Sequence, residues 1–145
     1  MQTFLPYPDF KQSAAVLDRQ RLCKQRVEAY QILRCLTGEG SLRWASHPAV
    51  KMWKGYEAYL AGYAIIMCRE WKQRGYQDTV EEKVMTLMDH YPWHLYTIKK
   101  PSWLGHAKFH RSHQSNLLRK YRQHYQQYFK RVPRNLEYVW PINTQ

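Results

Sequence analysis

LDRQRLCKQRVEAYQIL, residues Leu17 to Leu33, is the stretch from which the rest of the chain is read. Leu22, Ala29 and Leu33, with Leu36 just beyond, recur at the spacing of one helix face and predict a core-facing side. At 100° per residue, Arg21, Lys24, Gln25, Gln31 and Cys35 fall within about 60° of Glu28 on another face. One helix therefore carries an apolar stripe and, away from it, a cationic, hydrogen-bonding stripe with one carboxylate in it. Ser13 is the expected N-cap and Gly38 the stop, which gives a helix over Ser13 to Thr37.

Working outward, residues 1–12 read as an extended arm because Pro6 and Pro8 disfavour helix there. Downstream, GEGSLRW (Gly38 to Trp44) reads as a loop. A second helix is expected from Ser46-His47-Pro48, with Ser46 capping and Pro48 in the first turn, to Gly75. Trp53, Tyr56, Tyr59, Tyr63 and Trp71 recur along it at helical spacing, which points to core packing. A short helix follows near Val80 to Met88, then a loop punctuated by Pro92, Trp93, Pro101 and Trp103. A third main helix is expected over Ser112 to Phe129, and Pro133 and Pro141 bracket an irregular aromatic tail. No alternation of period two predicts a strand. The expected fold is all-α: one domain over residues 1–145, three main helices, an extended N-terminal arm and irregular aromatic loops.

Charge narrows the class of partner. The chain has 145 residues, 23 Lys+Arg against 11 Asp+Glu, and a formal net charge of +12. Such an excess repels itself in a folded domain and suits a polyanion. It is also concentrated: no Asp or Glu lies between His90 and Leu136, a stretch that holds ten Lys or Arg with Trp103, Phe109, Tyr121, Tyr125, Tyr128 and Phe129 among them. Cations beside rings fit nucleic acid. No run approaches the ~20 apolar residues of a membrane span, and no secretory signal is read at the start. Cys23, Cys35 and Cys68 form no CxxC pair and read as small apolar residues in a reducing, cytoplasmic setting, here nucleoid-associated. A monomer that binds double-stranded DNA is expected, with no membrane, no cofactor and no metal.

Two groups of residues are candidates for chemistry or contact. Glu28 within Arg21, Lys24, Gln25 and Gln31 suits a DNA-processing site: the cations hold phosphates, and the carboxylate stabilises a cationic sugar or moves a proton. The plainer reading is a surface Glu paired with Lys24. The run His110-Arg111-Ser112-His113-Gln114-Ser115-Asn116 opens the third helix, where free amides bind phosphate. His110, Arg111, Ser112, His113 and Asn116, with Arg119, Lys120 and Arg122 further along, are therefore expected at DNA. His110 and His113 have a metal-compatible spacing but no carboxylate partner, which argues against a metal. Trp103 is a candidate to fill the gap left by a flipped nucleotide.

These motifs resemble a known family. LDRQRLCKQRVEAYQIL is similar to the first helix of the phage-type pyrimidine-dimer DNA glycosylases (the dimer-specific endonuclease V family). MWKGYEAYLAGYAIIMCREWKQRGYQD (Met52 to Asp78) is similar to their long second helix. TFLPYPDF, HPAVKMWKGYE and SHQSNLLRK resemble the bacterial branch. The resemblance implies an all-α domain with its N-terminus threaded between helices beside a catalytic carboxylate. It implies removal of one base of a cyclobutane pyrimidine dimer, then strand cutting at the abasic site, with no cofactor. The nucleophile is the N-terminal α-amine and the essential acid is a helix-one Glu, which falls on Glu28. Gln2 is too bulky for ready removal of the initiator, so Met1 is the expected nucleophile; removal of Met1 would hand the amine to Gln2. An α-amine suits the task because its ordinary pKa is roughly 7.7–8.0, against ~10.4 for lysine. The phage-type members carry arginines one residue before and three after the Glu, where this chain has Val27 and Gln31. The residues leave other readings open: a glycosylase for another damaged or modified base, a DNA-binding module without chemistry, or, last, an anionic-membrane binder.

Overall fold

The computed structural model describes residues 1–91 and 98–142; the expected loop residues Pro92 and Trp93 lie outside them. Among the described residues the fold is all-α. Three long helices dominate: α2 (Arg19–Leu36), α4 (Glu57–Gln73) and α6 (Ala107–Lys120). Around them sit α1 (Phe10–Val16), α3 (Pro48–Lys51), α5 (Val80–His90) and α7 (Arg122–Tyr125). The apolar stripe of α2 packs mainly on α4, with Leu22, Ala29, Ile32 and Leu33 fully buried against Leu60, Ala64 and Met67. Helix α5 closes one end of this pair through Val80, Val84 and Met88. No helix among the described residues is long and apolar enough to cross a membrane.

Each of the three expected main helices is interrupted, whereas the short helix expected near Val80 to Met88 forms unbroken as α5. The first breaks at Leu17 and Asp18, both extended, so that α1 and α2 meet at a corner. The break is held from far along the chain: the Asp18 amide donates to the Tyr125 hydroxyl (3.0 Å), and His124 Nε2 lies 2.8 Å from the Val16 carbonyl oxygen. Ser13 is therefore no cap. Asp9 caps α1 through the Gln12 amide, and the buried Ser13 hydroxyl bonds Tyr7 instead. The second helix breaks between α3 and α4 at Gly55, whose φ of 88° is readily reached only without a Cβ. His47, not Ser46, caps α3: its Nδ1 accepts from the Ala49 amide at 3.0 Å. The third begins earlier than expected, at Ala107, and breaks at Tyr121.

A buried ion pair fastens α2 to the turn before α5. Arg26 Nη1 meets Asp78 Oδ1, the two side chains being 9% and 1% exposed. The guanidinium also lies over the Trp71 ring, 4.7 Å from its centroid. Burial alone would raise the Asp78 carboxyl, but the amide of Glu81 and the Arg26 guanidinium outweigh it and hold the group below its ordinary value. Removing one partner strands the other charge in the interior. Asp78→Asn is expected to destabilise the fold by about 3 kcal/mol, read as a lowered midpoint in urea unfolding with an unchanged slope.

Candidate active site

The extended arm is the centre of the molecule. Residues 2–6 are buried with no regular secondary structure, so their backbone groups must find partners elsewhere. They find them in side chains of three helices. From α2, Gln25 Oε1 accepts from the Phe4 amide at 2.6 Å and Glu28 Oε2 from the Gln2 amide at 3.1 Å. From α4, the Tyr63 hydroxyl donates to the Phe4 carbonyl at 2.8 Å and lies 2.7 Å from Gln25 Oε1. From α6, His113 Nδ1 accepts from the Leu5 amide (2.9 Å), His110 Nδ1 donates to the Leu5 carbonyl (2.7 Å), and Gln114 Nε2 donates to the Pro6 carbonyl (2.7 Å). Trp53 Nε1, just before α4, adds a bond to Thr3 Oγ1 at 3.0 Å.

The arm delivers Met1 into a cleft of about 290 Å³. Met1, Gln2 and Phe4 line it from the arm; Gln20, Arg21, Lys24, Gln25 and Glu28 from α2; Lys120 and Tyr138 from the C-terminal third. Glu28 is held on one edge, where Oε2 accepts from the Gln2 amide and, at 3.3 Å, from Gln25 Nε2. It forms no ion pair with Lys24 within 4 Å, so the plainer reading of a surface pair does not apply. The electrostatics converge on the same point. His47 is driven below its ordinary value by burial and by the N-terminal ammonium, with Glu28 opposing. Tyr138 is raised by burial and, in smaller part, by Glu28, with Arg119 opposing.

Several residues expected at DNA are placed otherwise. Gln25 is buried in the wall of the cleft, and its carboxamide is engaged by the arm, Tyr63 and Glu28. His110 and His113 are buried with their ring nitrogens on Leu5 and, for His110 Nε2, on the Gly105 amide, so they hold the arm rather than DNA or a metal. Ser112 and Asn116 are buried too: Ser112 Oγ donates to the Phe109 carbonyl, and Asn116 Nδ2 donates to the carbonyls of Ser112 and Leu136. Trp103 is buried against Trp53 and Phe109, its Nε1 bonded to the Met52 carbonyl, so it is no gap-filling wedge. Gln31 is exposed but lies outside the cleft lining. Of the expected cations, Arg21, Lys24 and Lys120 meet in the cleft, while Arg111, Arg119 and Arg122 are exposed elsewhere on α6 and α7.

The structure also brings in residues that periodicity had not marked. Tyr138 reaches the cleft from the tail, where no local pattern announces it. His47 belongs to the HPAVKMW segment, and its ring meets Trp44 and Trp140 edge-on, at 6.0 and 6.1 Å. One cleft thus brings together Met1, the Glu28 carboxylate and the cations Arg21, Lys24 and Lys120. The family model described as pyrimidine dimer DNA glycosylase matches residues 1–84, which include the arm, Glu28 and two of the three long helices, α2 and α4. The chain belongs to this family. Membership makes DNA the substrate and glycosidic-bond cleavage in DNA repair the expected chemistry. No curated protein and no solved structure matches the chain.

Proposed function

We propose that this pyrimidine-dimer glycosylase family member also cuts the strand, acting as glycosylase and abasic-site lyase through an imine on its N-terminal amine. The observation that carries the reading is the meeting of Met1 and Glu28 in one cationic cleft. The half-buried Arg21 and the exposed cations Lys24, Lys120, Arg111, Arg119 and Arg122 grip the duplex through phosphates. A lesion that stacks poorly lowers the free energy of extruding a nucleotide toward the cleft. The Met1 amine attacks C1′ of the sugar, the base leaves with the electron pair of the glycosidic bond, and ring opening gives the imine. Glu28 stabilises the cationic sugar and takes the C2′ proton; the C3′–O bond then breaks and the strand is cut. A monomer suffices, since one chain supplies every group.

The test is borohydride trapping on duplexes carrying one thymine cyclobutane dimer, one abasic site or no damage. A covalent adduct on the dimer and abasic duplexes is expected, and it is lost when the N-terminal amine is blocked. An adduct on the abasic duplex alone keeps the amine chemistry and moves the substrate to another damaged base. No adduct on any duplex removes the imine. A second reading draws on the hydrogen bond between the Gln2 amide and Glu28: in a chain trimmed of Met1, the Gln2 amine would stand at the carboxylate itself. The mass of the trapped N-terminal peptide separates the two.

A further inference from the structure

Asp18 stands at the N-cap position of α2, where an aspartate ordinarily accepts from the free amides of the first turn. It closes no side-chain cap hydrogen bond, although the Arg21 amide lies close by. Its carboxylate is turned to two side chains instead. Both oxygens meet Nη1 of Arg21, at 3.2 and 3.1 Å, and the Tyr125 hydroxyl donates to Oδ1. That hydroxyl also accepts from the Asp18 amide, so one phenol fixes both the backbone and the side chain of Asp18. Burial alone would raise the Asp18 carboxyl, but the Tyr125 hydroxyl and then Arg21 outweigh it and hold the group ionised below its ordinary value. Tyr125 is fully buried, and burial and the Asp18 carboxylate push its phenol far up, so it remains a donor at every working pH.

Arg21 is the cleft cation in this network. Its side chain is 20% exposed, whereas Lys24 and Lys120 are open to solvent. A free arginine loses rotamer freedom when it grips a phosphate. Here most of that freedom is already gone before DNA arrives.

We propose that Asp18 and Tyr125 are positioning residues that mount the Arg21 guanidinium in the cleft, pre-set for a phosphate of the strand being processed. The inference rests on the reading of this cleft as the place where DNA is cut. As a charge alone, Asp18 repels DNA; as a mount, it helps to hold it. The two roles have opposite consequences when the charge is removed.

The experiment uses the full chain with Asp18→Asn, Arg21→Ala, Tyr125→Phe and the double variant Asp18→Asn/Arg21→Ala. Affinity is measured on a duplex with a non-cleavable abasic-site analogue, and single-turnover cutting on a true abasic duplex, beside each variant's melting temperature. Asp18→Asn and Arg21→Ala are each expected to weaken binding and slow cutting about tenfold, the range of a charge-assisted hydrogen bond. The double variant is expected to be no worse than Arg21→Ala, a non-additivity that a purely structural role for Asp18 would not produce. Tyr125→Phe keeps the ion pair, loses the hydroxyl that donates to Asp18 Oδ1 and accepts from the Asp18 amide, and is expected to slow cutting about threefold; it serves where Asp18→Asn fails to fold. Tighter binding with undiminished cutting in Asp18→Asn, or effects that multiply in the double variant, would overturn the mount. Failure of the parent chain to cut any duplex removes the lyase reading instead. The mount is then decided by the analogue duplex, where the same non-additive weakening must appear.

Discussion

Glu28→Gln is expected to slow strand cutting at an abasic site by about a thousandfold, within the range of a lost general acid–base group, while duplex binding survives. Glutamine is close to isosteric. Its carboxamide oxygen can still accept from the Gln2 amide and Gln25 Nε2, so the arm and Met1 keep their places. What disappears is the negative charge that stabilises a cationic sugar and the base that takes its C2′ proton. Binding is not expected to weaken, because a carboxylate amid Arg21, Lys24 and Lys120 opposes phosphate. Asp18, the nearest carboxylate along α2, is engaged by Arg21 and Tyr125 and is no ready substitute. Single-turnover gels and a binding isotherm on the analogue duplex decide the matter. A variant that cuts at the parent rate moves the essential acid away from Glu28.

What the sequence disclosed of this site, and what it hid, follows from the range of the interactions. The face that carries Arg21, Lys24 and Glu28 was legible because helical geometry alone brings those residues together. The apolar stripe of α2 was legible for the same reason. The corner between α1 and α2 was not, since its bonds come from Tyr125 and His124, more than a hundred residues away. Ser13 had the right chemistry for a cap; Asp9 does that work, and Ser13 holds the arm. The run from His110 to Asn116 misled most. Its polar residues at a helix start suggested an anion site, yet the ligand is the chain itself. An i, i+3 spacing puts two imidazoles on one face of α6, near enough for one to take the amide of Leu5 and the other its carbonyl. Polar residues recruited to satisfy a buried, irregular strand look in one dimension like residues recruited for a phosphate. Only the fold tells them apart.

Those two histidines make the site sensitive to acid. His113 is buried, and burial, with His110 beside it, depresses it from 6.5 to about 3. His110 is lowered in the same direction, chiefly by burial and further by His106, against the opposing bond to the Leu5 carbonyl. Protonating His113 would set an N–H against the Leu5 amide that it now accepts. The fold therefore keeps both rings neutral, whereas the unfolded chain takes up protons at them from about pH 6.5 downward. Their contribution is complete above that pH and is lost as the pH falls toward about 3, at about 1.4 kcal/mol per pH unit for His113 alone. His47 adds to the same trend, since it too is lowered. Asp18 and Asp78, both held below 3.8, begin to weaken the fold only beneath that value. Unfolding midpoints in urea are thus expected to fall steadily from pH 6.5 to 4.5, well above the range where the buried carboxylates titrate. His113→Asn, whose Oδ1 takes the place of the ring Nδ1, separates this cause from general charge repulsion. Its carboxamide oxygen offers the Leu5 amide an acceptor and does not titrate, so the slope of midpoint against pH is expected to flatten in the variant. An unchanged slope would put the acid sensitivity elsewhere.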